Sequence, residues 1–406
     1  MPHVSDKGGS MPFSPIRKLT PFADEAKQRG VKVYHLNIGQ PDLPTPQKAL
    51  DALKEAGPGT LSYTHSQGRL SLRKGFVRYY SRFGIHFNED EIIVTSGGSE
   101  ALLFTFMACL DPGDEVIMPE PTYANYMSFS RISGVTVKTV TSHIEDGFAL
   151  PPVSEIEKLV THRTKAILVC NPNNPTGYVY TREELMTIRD IALKYDLFVI
   201  ADEVYREFLY NGEEFTSVMH LDGLENNAII IDSVSKRYSE CGIRIGMVAT
   251  HNKEVLQAVL KFAQARLSPP LLGQIVAEAS IDGTEEYSKE CFDEYIARRN
   301  FFIEGLNKIE GVYSPMPQGA FYTMAQLPVG DTEDFCKWML SDFVYKDGTY
   351  PGGETVMMAP AAGFYSHPEL GRRQVRMAYV LCKEDLQRAL IVLEAGLKEY
   401  KRTHLK

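Results

Sequence analysis

The sequence predicts an α/β fold. A large domain carries a mostly parallel sheet between helices, and both chain ends contribute to a smaller α+β domain. Three observations carry this. From about residue 90 apolar strand segments alternate with helical patterns. Seven such strand segments lack strict apolar–polar alternation, as expected where helices cover both faces of a sheet. And 406 residues exceed the usual single domain while leaving ample chain for a core.

Residues 1–45 are rich in Pro and Gly and form no clear periodic element apart from an amphipathic piece near "FADEAKQRG". They read as an arm that belongs in part to the small domain. Its turn-rich "LNIGQPDLPTP" sets Asn37, Gly39 and Asp42 close together. The large domain is expected over 46–285. Its strand segments are "EIIVTSG", "DEVIMPEP", "VTVKTV", "KAILVCNP", "LFVIADEVY", "AIIIDSVSK" and "IRIGMVAT". A helix pattern starts at Ser99 in "SEALLFTFMACL". Another, "TREELMTIRDIALKYD", opens on the capping-box spacing of Thr181 and Glu184 and sets Leu185, Ile188, Ile191 and Ala192 on one face. Helices dominate after residue 250. The small domain is expected over 286–406, with strands in "GAFYTMAQL", "VMMAP" and "VRMAYVL", a helix around "EDFCKWML" and a final helix "KEDLQRALIVLEAGLKEY".

Composition narrows the function. With 44% hydrophobic and 23% charged residues, the chain reads as soluble and globular. A net charge of -9 argues against nucleic acid or an anionic membrane as partner. Six scattered cysteines without a CxxC pair read as free thiols in a reducing compartment, with no metal site. The N-terminal "MPHVSDKGGSMPFSP" lacks the apolar core of a signal peptide, and no apolar run is long enough for a bilayer. A cytoplasmic protein is expected.

Ligands of open α/β sheets bind beyond the carboxyl ends of the strands, and the unusual residues fall there. Gly97, Gly98 and Ser99 lie between a strand and a helix start. They suit a phosphate, or an ordinary turn capped by Ser99. "NPNNPTG" is a stiff loop that can hold an Asn amide toward a ligand. Asp202 and Glu203 end a buried run, where a carboxylate needs a cation or donors. Lys236 ends the segment "AIIIDSVS"; partial desolvation there lowers its pKa and makes it a nucleophile for carbonyls. Arg244 stands between Ile243 and Ile245, both of which favour burial, so it needs an anion. A phosphate site, a carboxylate for a ring nitrogen, donors for a ring oxygen and a lysine for an aldehyde together describe pyridoxal 5'-phosphate (PLP).

The ordered set "NPNNPTG", "DEVY", "SVSK", "GIRIG" and "VRMAYV" closely resembles the class I/II aminotransferases, the fold-type I PLP enzymes that include aspartate aminotransferase. The resemblance runs from about Ser14 to the last helix. It implies that Lys236 forms the Schiff base with PLP, that Asp202 faces the ring nitrogen, and that Asn174 and Tyr205 bond the ring hydroxyl. Lys236, Asp202 and Tyr205 are then the catalytic residues. Gly98, Ser99, Ser233 and Arg244 match the phosphate cradle, and Tyr123 the ring-stacking aromatic, where animal-type aspartate aminotransferases have tryptophan. Tyr63 matches a tyrosine that reaches the neighbouring subunit's phosphate, which implies a homodimer with shared sites. Arg376 matches the arginine for the substrate α-carboxylate, with Asn174 and the Gly39 backbone near it. The implied reaction moves an amino group from an L-amino acid to a 2-oxo acid in two ping-pong half-reactions. Aspartate with 2-oxoglutarate is the first expectation. Aromatic or other neutral amino acids, a carbon–sulfur β-lyase activity, and a non-catalytic regulator on the same fold are the alternatives. Arg266 and Lys261 are the candidates for a second, distal carboxylate.

Overall fold

The computed structural model describes residues 2–57, 59–210, 212, 214–282 and 285–404. Strand β1 (Lys32–His35) lies in the arm. The main sheet contains β2 (Ile92–Thr95), β3 (Glu115–Glu120), β4 (Thr136–Thr141), β5 (Thr164–Cys170), β6 (Phe198–Asp202), β7 (Ala228–Ser233) and β8 (Gly246–Ala249). Their order across the sheet is β2-β8-β7-β6-β5-β3-β4. Neighbours from β7 to β4 pair in parallel, whereas β8 is antiparallel to both β2 and β7. This is the mostly parallel, seven-stranded sheet that the sequence predicts.

The missing alternation has a visible cause. Every residue of β2, β3, β7 and β8 is buried. On β7, Ile229 and Ile231 join one apolar cluster with Tyr205, while Ala228 and Ile230 join a second with Leu185, Ile188 and Ile191. Those last three lie on the helix Arg182–Tyr195. Its capping box forms as the spacing predicts: the Glu184 amide donates to Thr181 Oγ1 at 3.2 Å, and the Thr181 amide donates to Glu184 Oε2 at 2.8 Å.

Two smaller sheets complete the chain. They use β9 (Tyr322–Gln326), β10 (Glu354–Met357), β11 (Ala359–Pro360) and β12 (Gln374–Ala378). β1 pairs in parallel with β10, and β11-β12-β9 form an antiparallel sheet. β1 was not expected. It is short, carries Lys32 and His35, and buries only Tyr34, so it has no periodic signal of its own.

Three local expectations change. The helix expected from Ser99 runs Gly98–Cys109 and is capped by Gly97, whose φ of +79° a side chain tolerates poorly. Lys236 does not end a strand. β7 stops at Ser233, and Lys236 sits in a single helical turn, Val234–Arg237, with Ser233 as its N-cap. Arg244 is not in a strand either. It is exposed, in the left-handed region with φ +56°, and β8 starts two residues later.

Candidate active site

The strand ends open into one cavity of about 660 Å³. Its floor is the carboxyl edge of the sheet: Cys170 closes β5, Asp202 closes β6 and Ser233 closes β7, and all three line it.

At one end the helix Gly98–Cys109 points its N-terminus at the cavity, with Gly98 and Ser99 in the wall. The first amides of a helix have no intrahelical acceptor and carry the positive end of its dipole. Ser233, Ser235 and Arg244 line the same end. Ser233 Oγ donates to the Ile245 carbonyl at 2.7 Å and lies 2.7 Å from Ser235 Oγ, which fixes both hydroxyls. The Arg244 guanidinium packs on Gly97, where a β-carbon would lie 2.4 Å from Nη2. Helix amides, hydroxyls and a guanidinium form a donor set that fits a phosphate.

Asp202 and Glu203 are both buried, but they differ in their partners. Glu203 forms an ion pair with Arg206 at 2.6 Å and accepts from Ser217. Asp202 has no ion pair among the described residues. It accepts from Tyr126 Oη at 2.6 Å and from the Val204 amide at 3.3 Å. Burial pushes its carboxyl up to about 6, against the lowering by those two donors. A buried carboxylate without a cation, beside the phosphate end, fits a protonated ring nitrogen.

Lys236 Nζ donates to the Gly39 carbonyl at 3.0 Å and lies 3.7 Å from Cys241 Sγ. The lowered pKa expected from desolvation is not found. Burial does pull it down, but Tyr322, Cys241 and Tyr123 outweigh burial and the net shift is upward.

Arg376 is 1% exposed on β12. Its neighbours Arg372 and Arg373 are surface residues, and Arg372 pairs with Asp331 and Glu369. Arg376 instead donates to Asn174 Oδ1 at 3.1 Å and to the Asn37 carbonyl, and lies 4.6 Å from the Tyr322 ring centre. Among the described residues it has no carboxylate partner, and its buried Nε has no hydrogen-bond acceptor. Such a guanidinium is incomplete without an anion.

Tyr205 Oη lies 3.0 Å from Tyr322 Oη, and Tyr123, which accepts from Asn125 at 2.8 Å, closes another side. Gly39 is required by Tyr322: a β-carbon on it would lie 1.8 Å from the phenol oxygen. Of the residues expected to hold the cofactor, Tyr63 lies outside the cavity, 78% exposed. Arg266 is also elsewhere, bonded to Glu100 at 2.6 Å, and Lys261 is exposed on the same helix, Lys253–Arg266. Neither lines the cavity.

Arg17, Tyr126, Ser235 and Tyr322 are among the lining residues that escaped the sequence reading. The "SVSK" motif contained Ser235. Tyr126 and Tyr322 carry no motif of their own, and only the fold brings them to Asp202 and Gly39.

The aminotransferase class I and II family model matches residues 31–355. An aspartate aminotransferase of Thermotoga maritima is 32% identical over 96% of this chain and 98% of its own length. One of Bacillus subtilis is 31% identical over 92% and 93%. The solved alanine aminotransferase of Pyrococcus furiosus superposes with a TM-score of 0.88 at 31% identity, covering 98% of this chain and 100% of that one. Likeness of this extent, in sequence and fold together, places the chain in the aminotransferase class I and II family and makes it a transaminase.

Proposed function

We propose that this transaminase works with PLP and exchanges the amino group between aspartate and 2-oxoglutarate. One observation carries the reading. A buried arginine without an anion, Arg376, shares a cavity with a buried carboxylate without a cation, Asp202, and with Lys236. An amino acid carboxylate and a protonated pyridine ring complete both. The relatives named aspartate aminotransferase support the choice of donor.

In this reading Gly98, Ser99, Ser233, Ser235 and Arg244 hold the phosphate. Asn174 and Tyr205 donate to the ring hydroxyl, Tyr123 stacks on the ring, and Asp202 keeps the ring nitrogen protonated. Bound there, PLP supplies an aldehyde for the amino group and a cationic ring that accepts the electrons left when Cα loses its proton. Arg376 takes the α-carboxylate, with Asn174 and the Gly39 backbone beside it, and so fixes which bond at Cα is presented. Lys236 would serve as the proton carrier, taking the proton from Cα of the donor in one half-reaction and delivering one to Cα of the acceptor in the other.

Three broader proposals accompany this. The folding units are an arm at 1–45, a large domain at 46–285 and a small domain at 286–406, and the pairing of β1 with β10 supports a small domain built from both ends. The working form is a homodimer, supported by Tyr63 standing outside its own cavity. The setting is cytoplasmic, supported by six free cysteines. Among the described residues no helix is long and apolar enough to cross a membrane.

The test is a donor panel at fixed 2-oxoglutarate, with Lys236→Ala beside the wild type. Aspartate is expected to lead, and the variant to lose about 1000-fold in kcat. A variant that transaminates at the wild-type rate removes Lys236 from its role. A panel led by phenylalanine overturns the substrate pair.

A further inference from the structure

Two of the six cysteines line the cavity, Cys170 and Cys241. The Cys170 thiol donates to the Pro172 carbonyl at 3.4 Å, within its own loop. Cys241 reaches further. Its Sγ donates to the Ser235 carbonyl at 3.1 Å and lies 3.7 Å from Lys236 Nζ. Its own carbonyl accepts from Arg244 Nη1 at 3.1 Å. One residue therefore touches the Ser235 backbone, the lysine amine and the arginine of the phosphate end.

The supply of hydrogens fixes which way the thiol works. A thiol has one hydrogen, and here it goes to Ser235. The sulfur lone pairs are left for Lys236, whose ammonium can only donate. Among the described residues that ammonium has two acceptors, the Gly39 carbonyl at 3.0 Å and Cys241 Sγ. Gly39 comes from the arm, and Cys241 from the loop after the lysine's own helical turn. Both are held in place: Tyr322 Oη donates to the Gly39 carbonyl at 3.5 Å, and the Ser235 bond holds the sulfur. The other titratable groups that face the lysine are Tyr322 on β9, Tyr123 beyond β3 and Asp202 at the end of β6. Burial weakens the lysine's hold on its proton, and Tyr322 and then Cys241 restore it.

A lysine side chain carries about 2 kcal/mol of rotamer entropy. Two fixed acceptors on different parts of the chain select one position from that freedom. On the reading above, on which this inference rests, Lys236 carries its proton as a free amine, and that is the state that needs a seat. We propose that Cys241 is a positioning residue: it seats the free Lys236 amine for proton transfer and ties that seat to Arg244.

The test uses Cys241→Ala and Cys241→Ser. Serine keeps a hydrogen for Ser235 and a lone pair for Lys236. In the PLP-free protein, competitive labelling with acetic anhydride across a range of pH, read on the peptide that contains Lys236, follows the titration of that amine alone. Its midpoint is expected to drop by about one pH unit in C241A and to return most of the way in C241S. In the PLP-loaded protein, kcat with the leading donor is expected to fall about 10-fold in C241A at unchanged KM, and to recover in C241S. A midpoint that does not move in C241A overturns the proposal, as does a wild-type kcat. A loss that serine fails to restore marks packing around the sulfur and overturns it too. The labelling needs neither cofactor nor donor, so it decides on Cys241 even where the donor panel contradicts the aspartate reading.

Discussion

Asp202 combines a functional demand with a folding penalty. Its folded pKa of about 6 lies above the ordinary 3.8, chiefly through burial. The folded chain therefore holds the proton more tightly than the unfolded chain, so stability falls as pH rises from about 4 and the loss is complete above about 6. The gap corresponds to about 3 kcal/mol. Asp202→Asn keeps an oxygen for Tyr126 and removes the buried charge. The PLP-free variant is expected to melt higher than the wild type at pH 7.5, with the difference shrinking as the pH drops toward 4. Thermal scans across that range check it, and a constant difference at all pH values contradicts it. The loaded variant is expected to lose about 100-fold in kcat, because an amide cannot hold the ring proton. The apolar context pointed to Asp202 and Glu203 together, and the family resemblance singled out Asp202. The difference lies in Arg206, which pairs with only one of them.

At the scale of elements, the phosphate end depends on how closely β8 approaches the helix Gly98–Cys109. A β-carbon on Gly246 would lie 2.5 Å from the Gly97 carbonyl carbon, 2.6 Å from the Gly98 amide and 2.8 Å from the Asp232 carbonyl. These are backbone atoms and cannot rotate away. Gly246→Ala is expected to push the helix N-terminus off its position, raise the PLP dissociation constant at least about 10-fold and cost about 1–3 kcal/mol of stability. Equilibrium dialysis and denaturant unfolding measure the two effects. Gly330→Ala, with nothing within 4 Å, is the neutral control. The buried strands were legible because residues such as Ile229, Ile230 and Ile231 face cores on both sides of the sheet. β1 was illegible because its pairing partner, β10, lies near the other chain end. Arg244 misled for a related reason: its isoleucine neighbours suggest a strand, but a left-handed turn swings the arginine to the surface.

At the scale of the molecule, the loop around Tyr63 is held firmly yet presents apolar groups outward. Ser66 Oγ donates to the Leu267 carbonyl at 2.7 Å and Gln274 Nε2 to Thr64 Oγ1 at 3.0 Å. Leu61, Tyr63 and Leu267 remain 63%, 78% and 51% exposed. A fixed apolar rim of this kind suits a second copy of the chain. Sedimentation is expected to give the mass of two chains, and Tyr63→Phe to weaken PLP binding about 10-fold through one lost charge-assisted hydrogen bond. A monomer that retains PLP rules this out. Asn37, bonded to both Ile16 and Arg376, has a consequence for the order of assembly. The buried arginine gains its full set of neighbours only when the backbone around Ile16 is seated against it, so the first stretch of the chain completes a site whose other residues come from far along the sequence.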